Sequence, residues 1–569
     1  MSDAARLGHS TSRTQHVSDT ARLSRSTPHA QHVSGGRFVT DRPQPWYTPG
    51  PPQQPVPGNP YAQDGSGPPP GSPPGSPPPP PPRRRRFGGA PVLVVAVVLL
   101  LVAAAGGVYA VTDGRWGRSA APVAKESPGP GPSAPSSSPP PPGAPAVRTP
   151  QPQKIPTTAE IDAARKPGDA TAWIVDDKTD LPRGNHRAHD LWTVDGAAVQ
   201  ALHRKVAAYR LSDGAELWSV PLPTAVCETP ANPTPDGKVV IVRQERPDDE
   251  RGNRCNQLQM IDLRTGKQGW HKQLPETGSG DNSFIVYSAI SGGTFAIARS
   301  MKATAYRVAD GTELYDIPWE NPGKCYPDDV AGGSRLLVSS DCAISMDRSK
   351  NYSQLREIDP RTGKVLWRHR TSPGWKFGSL ISVDPVVFTT VNAEDTTSDW
   401  RVVALGPKGK LRTTVDPREK GFEHCAGSGS GGEIQPCRGT AAGPDHVVLG
   451  GTDRIGVYDL ATGKFVWGIK SDDPLRTLHP LRAEKGGAAL VYESASPDRP
   501  GRTFVMGPGG AGTEKVLLRH PAAAAAPETR MGGGRLAYVD GRVVVTSSGV
   551  SGLDTERQAR MLSFAPAEP

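Results

Sequence analysis

Residues 357–370 read EIDPRTGKVLWRHR. Polar and apolar residues alternate into an Asp, a Thr-Gly pair interrupts them, and a second alternating run leaves carrying a tryptophan. Two short alternating runs around a glycine-containing turn are the signature of a β-hairpin. The glycine supplies the positive φ that the turn or its bulge needs, and Asp or Thr can hydrogen-bond the turn backbone. Related phrases recur along the chain: VAAYRLSDGAELWSV (206–220), LQMIDLRTGKQGWHK (258–272), ATAYRVADGTELYDI (303–317), RVVALGPKGKLRTTV (401–415), IGVYDLATGKFVWGI (455–469) and a degenerate RTFVMGPGGAGTEKVLL (502–518). The turn glycines Gly214, Gly266, Gly311, Gly363, Gly409, Gly463 and Gly512 are separated by 52, 45, 52, 46, 54 and 49 residues. A period near 50 predicts a propeller or another repeat array.

Four residues past the glycine stand Trp218, Trp270, Tyr315, Trp367 and Trp467. One aromatic per unit at a fixed distance from the turn predicts a repeated interface between neighbouring units. Thr413 and Val516 take the position in two units, so weaker contacts are expected there. Residues 165–569 hold about eight units of roughly 50 residues, although seven hairpins are visible. The C-terminal stretch offers three candidate strands, RLAYVD (535–540), RVVVTS (542–547) and RMLSFA (560–565). A fourth is expected from the other end: RKPGDATAW (165–173) resembles RTGKVLW (361–367), so Ala170 to Asp176, carrying Trp173, should close the ring as the outer strand of the last blade. The predicted fold is therefore all-β, an eight-bladed propeller over 165–569, with seven blades as the alternative. Closure removes the open ends of a repeat array.

The units MIDLRTGKQGW (260–270), EIDPRTGKVLW (357–367) and VYDLATGKFVW (457–467) resemble the pyrroloquinoline-quinone-type β-propeller repeats, the PQQ-like family. The resemblance covers about 400 residues and implies eight blades with tryptophans wedged between them. It is specific to fold and not to activity. The family includes quinoprotein dehydrogenases and also non-catalytic propellers such as the lipoprotein of the outer-membrane barrel-assembly machinery. The active dehydrogenases carry an adjacent-cysteine disulfide, a stacking tryptophan and a bound calcium. No two cysteines are adjacent in this chain, and no calcium ligand set can be placed on it. The expected role is a non-catalytic binding or scaffold module for a protein or cell-envelope ligand, with no cofactor. A dehydrogenase using pyrroloquinoline quinone and calcium is the alternative.

Outside the repeats the composition changes. Residues 1–86 form a Pro-rich tail with the composition of disordered sequence, and a short duplication within it (3–18 and 19–34) has no readable function. Segment 87–111 contains Pro91–Val111, 21 residues without a charge, long enough as a helix of about 31 Å to span a bilayer. Arg83–Arg86 immediately before it predict a cytoplasmic N-terminus and an extracellular propeller. A cleaved secretory signal would occupy the first 15–30 residues, whereas some 90 residues precede this run. Residues 112–164 read as a Pro/Ser-rich linker. The composition suits a high-GC Gram-positive, actinobacterial source. Of the net charge of +9, ten Arg against four Asp in residues 1–90 give +6, leaving +3 over the rest; nucleic acid is not an expected partner.

All six cysteines follow the apolar run, as expected of disulfides in an oxidising compartment. Six cysteines permit 15 pairings. Keeping every bridge within one repeat unit selects Cys227 with Cys255, Cys325 with Cys342 and Cys425 with Cys437. Zinc would call for a Cys-x-x-Cys pair, and none is present. His186-x-x-His189-Asp190 lacks the helix that would aim both rings at one metal and reads as a loop. GPGGAGT (507–513) has no lysine and falls where a repeat turn belongs. His424 beside Cys425 is no nucleophile pair if the cysteine is bridged. The charged RPDDERGN (246–253) reads as a solvated hairpin tip. Non-reducing peptide mapping should return three intra-unit bridges; a peptide joining two different units would refute this pairing.

Overall fold

The Asp-x-x-Thr-Gly turn closes on two backbone hydrogen bonds. In the fourth unit the Gly363 amide donates to Asp359 at 2.9 Å and the Asp359 amide to Lys364 at 2.8 Å. The Asp359 carboxylate accepts from the Arg361 and Thr362 amides at 2.9 and 3.1 Å, so it caps the turn. Gly214, Gly266, Gly311, Gly363, Gly409 and Gly463 all have φ between 70° and 75°. The pairing of the flanking strands slips by one residue beside the turn, for example between Glu357 and Ile358. That slip is the bulge a positive-φ residue permits.

The computed structural model describes residues 154–177, 181–247, 252–278, 281–320, 324–396, 398–425, 434–435, 437–552 and 558–567. The tail 1–86, the apolar span 87–111, linker residues 112–153 and the acidic tip of 246–253 lie outside the described residues. Among those described, no helix is long and apolar enough to cross a membrane.

The hairpins extend into eight antiparallel sheets. Blade 1 consists of Asn185–Val194, Ala197–Leu202, Lys205–Arg210 and Glu216–Pro221. Blades 2 to 7 follow in chain order over 226–273, 286–317, 325–370, 375–415, 440–470 and 478–519. Blade 8 takes Leu536–Val539, Arg542–Thr546 and Gln558–Ala565 from the C-terminus and Thr171–Asp177 as its outermost strand. Trp173 lies opposite Ser563 in that pair. A further strand, Gly549–Ser551, crosses from blade 8 to pair with Asn185–Arg187 of blade 1. The sequence reading had no such second tie.

The chain also orders earlier than residue 165, within the stretch expected to be linker. Thr158–Ala163 form a short helix. Thr157 accepts from the Glu160 amide at 3.2 Å and the Glu160 carboxylate accepts from the Thr157 amide at 2.8 Å, a capping box. The helix buries Ile161 completely against Leu518, Ala524 and Phe564, in the seam of blades 7 and 8. A single apolar residue gives no helical period, which hid the helix; the Thr-x-x-Glu spacing was its one signal.

The recurring aromatic lies on the turn glycine of the next blade. A β-carbon added at Gly266 would sit 2.7 Å from the Trp218 ring, one at Gly311 2.7 Å from Trp270, one at Gly363 2.7 Å from Tyr315 and one at Gly214 2.8 Å from Trp173. Trp367 lies against Gly409 in the same way. The indole N–H of Trp173 donates to Leu211 and that of Trp270 to Val308, both at 2.7 Å; Tyr315 donates to Pro360 at 2.9 Å. Between blades 5 and 6, Thr413 and Thr414 meet Gly463 without an aromatic. Trp467 faces Gly510 at 3.7 Å, not the aligned Gly512, and donates to Gly487 at 2.8 Å. The GPGGAGT turn is one of several glycines, and chain alignment picked the wrong one.

Each turn glycine is thus constrained twice, by φ and by the ring above it. Gly196 has φ 76° and nothing within 4 Å of an added β-carbon, so Gly196→Ala tests φ alone. Gly196→Ala should cost about 1–2 kcal/mol, whereas Gly266→Ala must also displace Trp218 and should cost clearly more. Trp173→Ala, at the closure seam, should cost about 3–5 kcal/mol. Chemical unfolding of the three variants checks the order; equal costs for the two glycines would refute the second constraint.

Candidate functional site

The innermost strand of each blade starts at one end of the ring, and the turn glycines lie at the other, because the strands alternate in direction. Charged side chains from five of these starts meet around the axis: Arg187 and Asp190 of blade 1, Glu228 of blade 2, Asp328 and Asp329 of blade 4, Arg438 before blade 6 and Arg535 before blade 8. Tyr287 of blade 3 joins them, since the charges of Asp329, Glu228 and Asp328 act on its phenol. They sit tens of residues apart in the chain, and only ring closure brings them together.

The cluster is largely buried. Arg535 pairs with Asp190 at 2.7 Å, and Thr229 donates to Asp190 at 3.1 Å. Burial, reinforced by the Asp190 charge, pushes Glu228 up to about 8. Burial raises Asp328 to about 7, although the Asp341 amide donates to it. Asp329 is held well above the usual carboxylate range by burial, despite amide donors from Val330 at 2.7 Å and Ile434 at 3.1 Å. Burial, with Arg535 beside it, brings Arg438 down to about 10. Burial, with Arg187 nearby, lowers His189 to about 3.

Residues 434–435 and 437–438 stand at the axis, in the connection between blades 5 and 6. The Leu380 and Cys437 backbones bond Ile434 and Leu380 in turn, Gln435 bonds both backbone groups of Gly332, and Arg438 donates to Gly533. Asn232 of blade 2 reaches the same Gly332 carbonyl at 3.2 Å. The segment therefore ties blade 4, blade 5 and the connection into blade 8 across the channel, and Asn232 adds blade 2 through Gly332.

The cysteines pair within units, as Cys227–Cys255, Cys325–Cys342 and Cys425–Cys437. The first and second pin the entry of the innermost strands of blades 2 and 4, and the third closes the connection into blade 6, so all three lie at the axial-cluster end. His186, His189 and Asp190 stand on a strand and do not converge. His186 bonds Pro182 at 2.6 Å, His189 bonds Val226 at 3.1 Å, and Asp190 is held by Arg535. His424 bonds Thr389 at 2.7 Å beside the bridged Cys425. The docking aromatics Trp173, Trp218, Trp270, Tyr315, Trp367 and Trp467 lie in the blade seams and not at this mouth.

A quinone–calcium group is what the repeat resemblance raised for the axis. Its chemistry asks for several oxygen ligands converging on one ion. Among the described residues no group of three or more His, Cys, Asp or Glu side chains is arranged to hold a metal. Asp190 and Asp329 are taken by Arg535 and by amides, and the disulfides join non-adjacent cysteines. The residues described do not fit that group.

The family model described as outer membrane protein assembly factor BamB matches residues 158–324 and 258–418. With the eight sheets, that match supports the PQQ-like β-propeller repeat family for this chain. No curated protein matches it. Solved structures similar to it include BamB from Moraxella catarrhalis, at 14% identity and TM-score 0.40 over 70% of this chain and 99% of that one. The computationally designed Ika8 protein is similar at 14% identity and TM-score 0.40, over 67% and 98%. Quinohemoprotein alcohol dehydrogenase ADHIIG from Pseudomonas putida HK5 is similar at 13% identity and TM-score 0.40, over 71% and 78%.

The axial carboxylate Glu228 and the buried histidine His189 act on stability in opposite directions, over ranges that overlap between about 4.5 and 6.5. Glu228, raised in the folded protein, contributes stability below its unfolded value near 4.5 that is lost as pH rises through about 8. His189, lowered by burial, opposes folding only as pH falls below 6.5. Thermal stability should therefore fall from pH 6.5 to about 8, and Glu228→Gln should flatten that fall and, below pH 6.5, uncover the histidine's loss of stability with acid. Melting curves across pH 5–9 check this; an unaltered slope in the variant would refute the assignment.

Proposed function

We propose that the propeller is a non-catalytic binding or scaffold module that engages a protein partner through the end of the ring carrying the axial cluster. The observation that carries this reading is the segregation of surface types between the two ends. The turn end is built from repeated tight hairpins. The other end carries the longest connections, the three disulfides and, among the described residues, seven of the twelve exposed large apolar side chains. Phe284, Ile285, Met301, Trp319, Ile344 and Met346 all lie in connections at that end of blades 3 and 4, Trp319 47% and Met346 100% exposed. Exposed apolar groups gathered on neighbouring units are a mark of interaction surfaces. Disulfides hold the flanking strand entries in place, which lowers the ordering cost of association.

We further propose that the chain is a single-pass membrane protein, anchored by 87–111 with its N-terminus cytoplasmic, and that 112–153 hold the propeller away from the bilayer on the extracellular side. The uncharged run Pro91–Val111 and the preceding arginines support this.

Photo-crosslinking residues placed in intact cells at Trp319 and Met346 should give a discrete adduct, and one at Lys364 on the turn end should not. The same adduct at all three positions, or none, would defeat the assignment of the face. Stoichiometric binding of pyrroloquinoline quinone with calcium-dependent dye reduction by an alcohol would replace the scaffold reading with an enzymatic one.

A further inference from the structure

The connection 343–351, between the second and third strands of blade 4, has nine residues where the matching connections of blades 1 and 3 have two. Its own bonds hold its shape. Asn351 bonds both backbone groups of Ser345, at 2.9 and 3.0 Å, and the Asp347 carboxylate accepts from the Ser349 amide at 3.1 Å. The Asn351 carbonyl accepts from the Gly374 amide and the Gly374 carbonyl from the Ala393 amide, both at 2.8 Å. These two bonds join the loop to the ends of the two inner strands of blade 5. The Cys325–Cys342 bridge pins the residue before it.

A cavity of about 360 Å³ opens between this loop and blade 5, at the end of the ring that carries the axial cluster. At about 30 Å³ per water it is large enough for the bulkiest side chains. Ala343, Tyr352 and Ala393 line it. Ile344, 52% exposed, and Met346, 100% exposed, stand on the same loop, so the cavity continues the apolar surface of blades 3 and 4.

Its charge is one-sided. Asp341 and Lys376 line it as an ion pair at 2.6 Å, and the Ser353 hydroxyl also donates to Asp341. Arg348 lines it too, is exposed, and has no ion-pair partner among the described residues. The Arg370 guanidinium lies 5.4 Å from the centre of the Tyr352 ring. Glu394 and Asp395 follow Ala393 but do not line the cavity, and Asp395 is bonded to Ser398. The uncompensated charge here is therefore positive.

A large side chain seated in a preformed hole is the usual anchor of a protein interface, and a hole already held in shape lowers the cost of association. An aliphatic chain would leave more of this volume empty than a ring does. A ring can also meet Tyr352 and accept a cation over its face. A free guanidinium pairs best with a carboxylate.

We propose that this cavity receives one aromatic side chain of the protein partner, and that a carboxylate beside that side chain meets Arg348. This rests on the partner-face reading above and names the chemistry the face recognises: a segment carrying an aromatic residue next to an acidic one.

Purified full-length protein is titrated by calorimetry with the peptide acetyl-Ser-Trp-Asp-Ser-amide, with its Trp-Asn analogue and with its Ala-Asp analogue. Saturable binding of the first is expected, with each analogue about tenfold weaker. Arg348→Gln should bring the Trp-Asp peptide down to the affinity of the Trp-Asn peptide. Ala343→Trp narrows the cavity and should weaken both tryptophan peptides. Both positions are exposed, so both variants keep the fold. No saturable binding of the Trp-Asp peptide, equal binding of the three peptides, or wild-type affinity in both variants would overturn the proposal. A crosslink from Trp319 in intact cells with no peptide binding overturns the cavity and leaves the face reading standing. Peptide binding with no crosslink defeats the face reading and leaves the chemistry of the cavity supported.

Discussion

An aromatic ring resting on a glycine of the next blade sets the geometry of the whole ring. Neither half of the contact tolerates much change. The glycine must take a left-handed conformation to close its own hairpin, and it must lack a β-carbon so that the neighbour's ring can lie flat on the turn. The indole N–H or phenol then bonds a carbonyl just before that turn, which fixes the angle between the sheets. A side chain of this size buries about 150–250 Å², worth at most about 4–6 kcal/mol by area. Repeated around the ring, that contact outweighs any single strand pairing as the source of blade-to-blade order.

The seams that lack it are reinforced otherwise. Between blades 5 and 6, where Thr413 replaces the aromatic, the connection carries the Cys425–Cys437 bridge and sends Ile434 and Gln435 across the axis to blade 4. Between blades 7 and 8 no receiving turn can exist, because the third and outermost strands of blade 8 come from opposite ends of the propeller and no hairpin joins them. The helix with Ile161 packs there instead. The opposite side of blade 8 is doubly tied to blade 1, by Trp173 on Gly214 and by Gly549–Ser551 pairing with Asn185–Arg187. A repeat array is weakest at its ends, and this chain places its non-repeating elements at that junction.

The two ends of the ring divide the work between specification and variation. Tight hairpins at the turn end leave little room for insertion, since each turn is fixed by the ring above it. The longest connections, 416–439 and 520–535, lie at the opposite end, where length is free. The same end receives the disulfides, the exposed apolar side chains of blades 3 and 4 and the mouth of the axial cluster. Within that cluster, burial holds Glu228 up at about 8 and Asp328 at about 7, and raises Asp329 well above the usual carboxylate range, beside Arg438 and Arg535.

The hairpin phrase, its period, the turn glycines, the aromatics, the strand borrowed from residues 171–177 and the local pairing of cysteines were all legible in the chain. Each depends on residues close in sequence, or on a repeat whose copies identify one another. The helix at 158–163 and the strand at 549–551 were not legible, because each is too short to show a period and is stabilised by what it packs against. Gly510 was passed over for Gly512 because only the position of Trp467 distinguishes them. The axial cluster and the cavity between blades 4 and 5 were invisible for a further reason. Their members stand singly in strands and connections tens to hundreds of residues apart, and the protonation and pairing of the cluster follow from burial. Local rules thus determined the blade and its copying, while closure of the ring decided which lone charges lost their water and which neighbours they found.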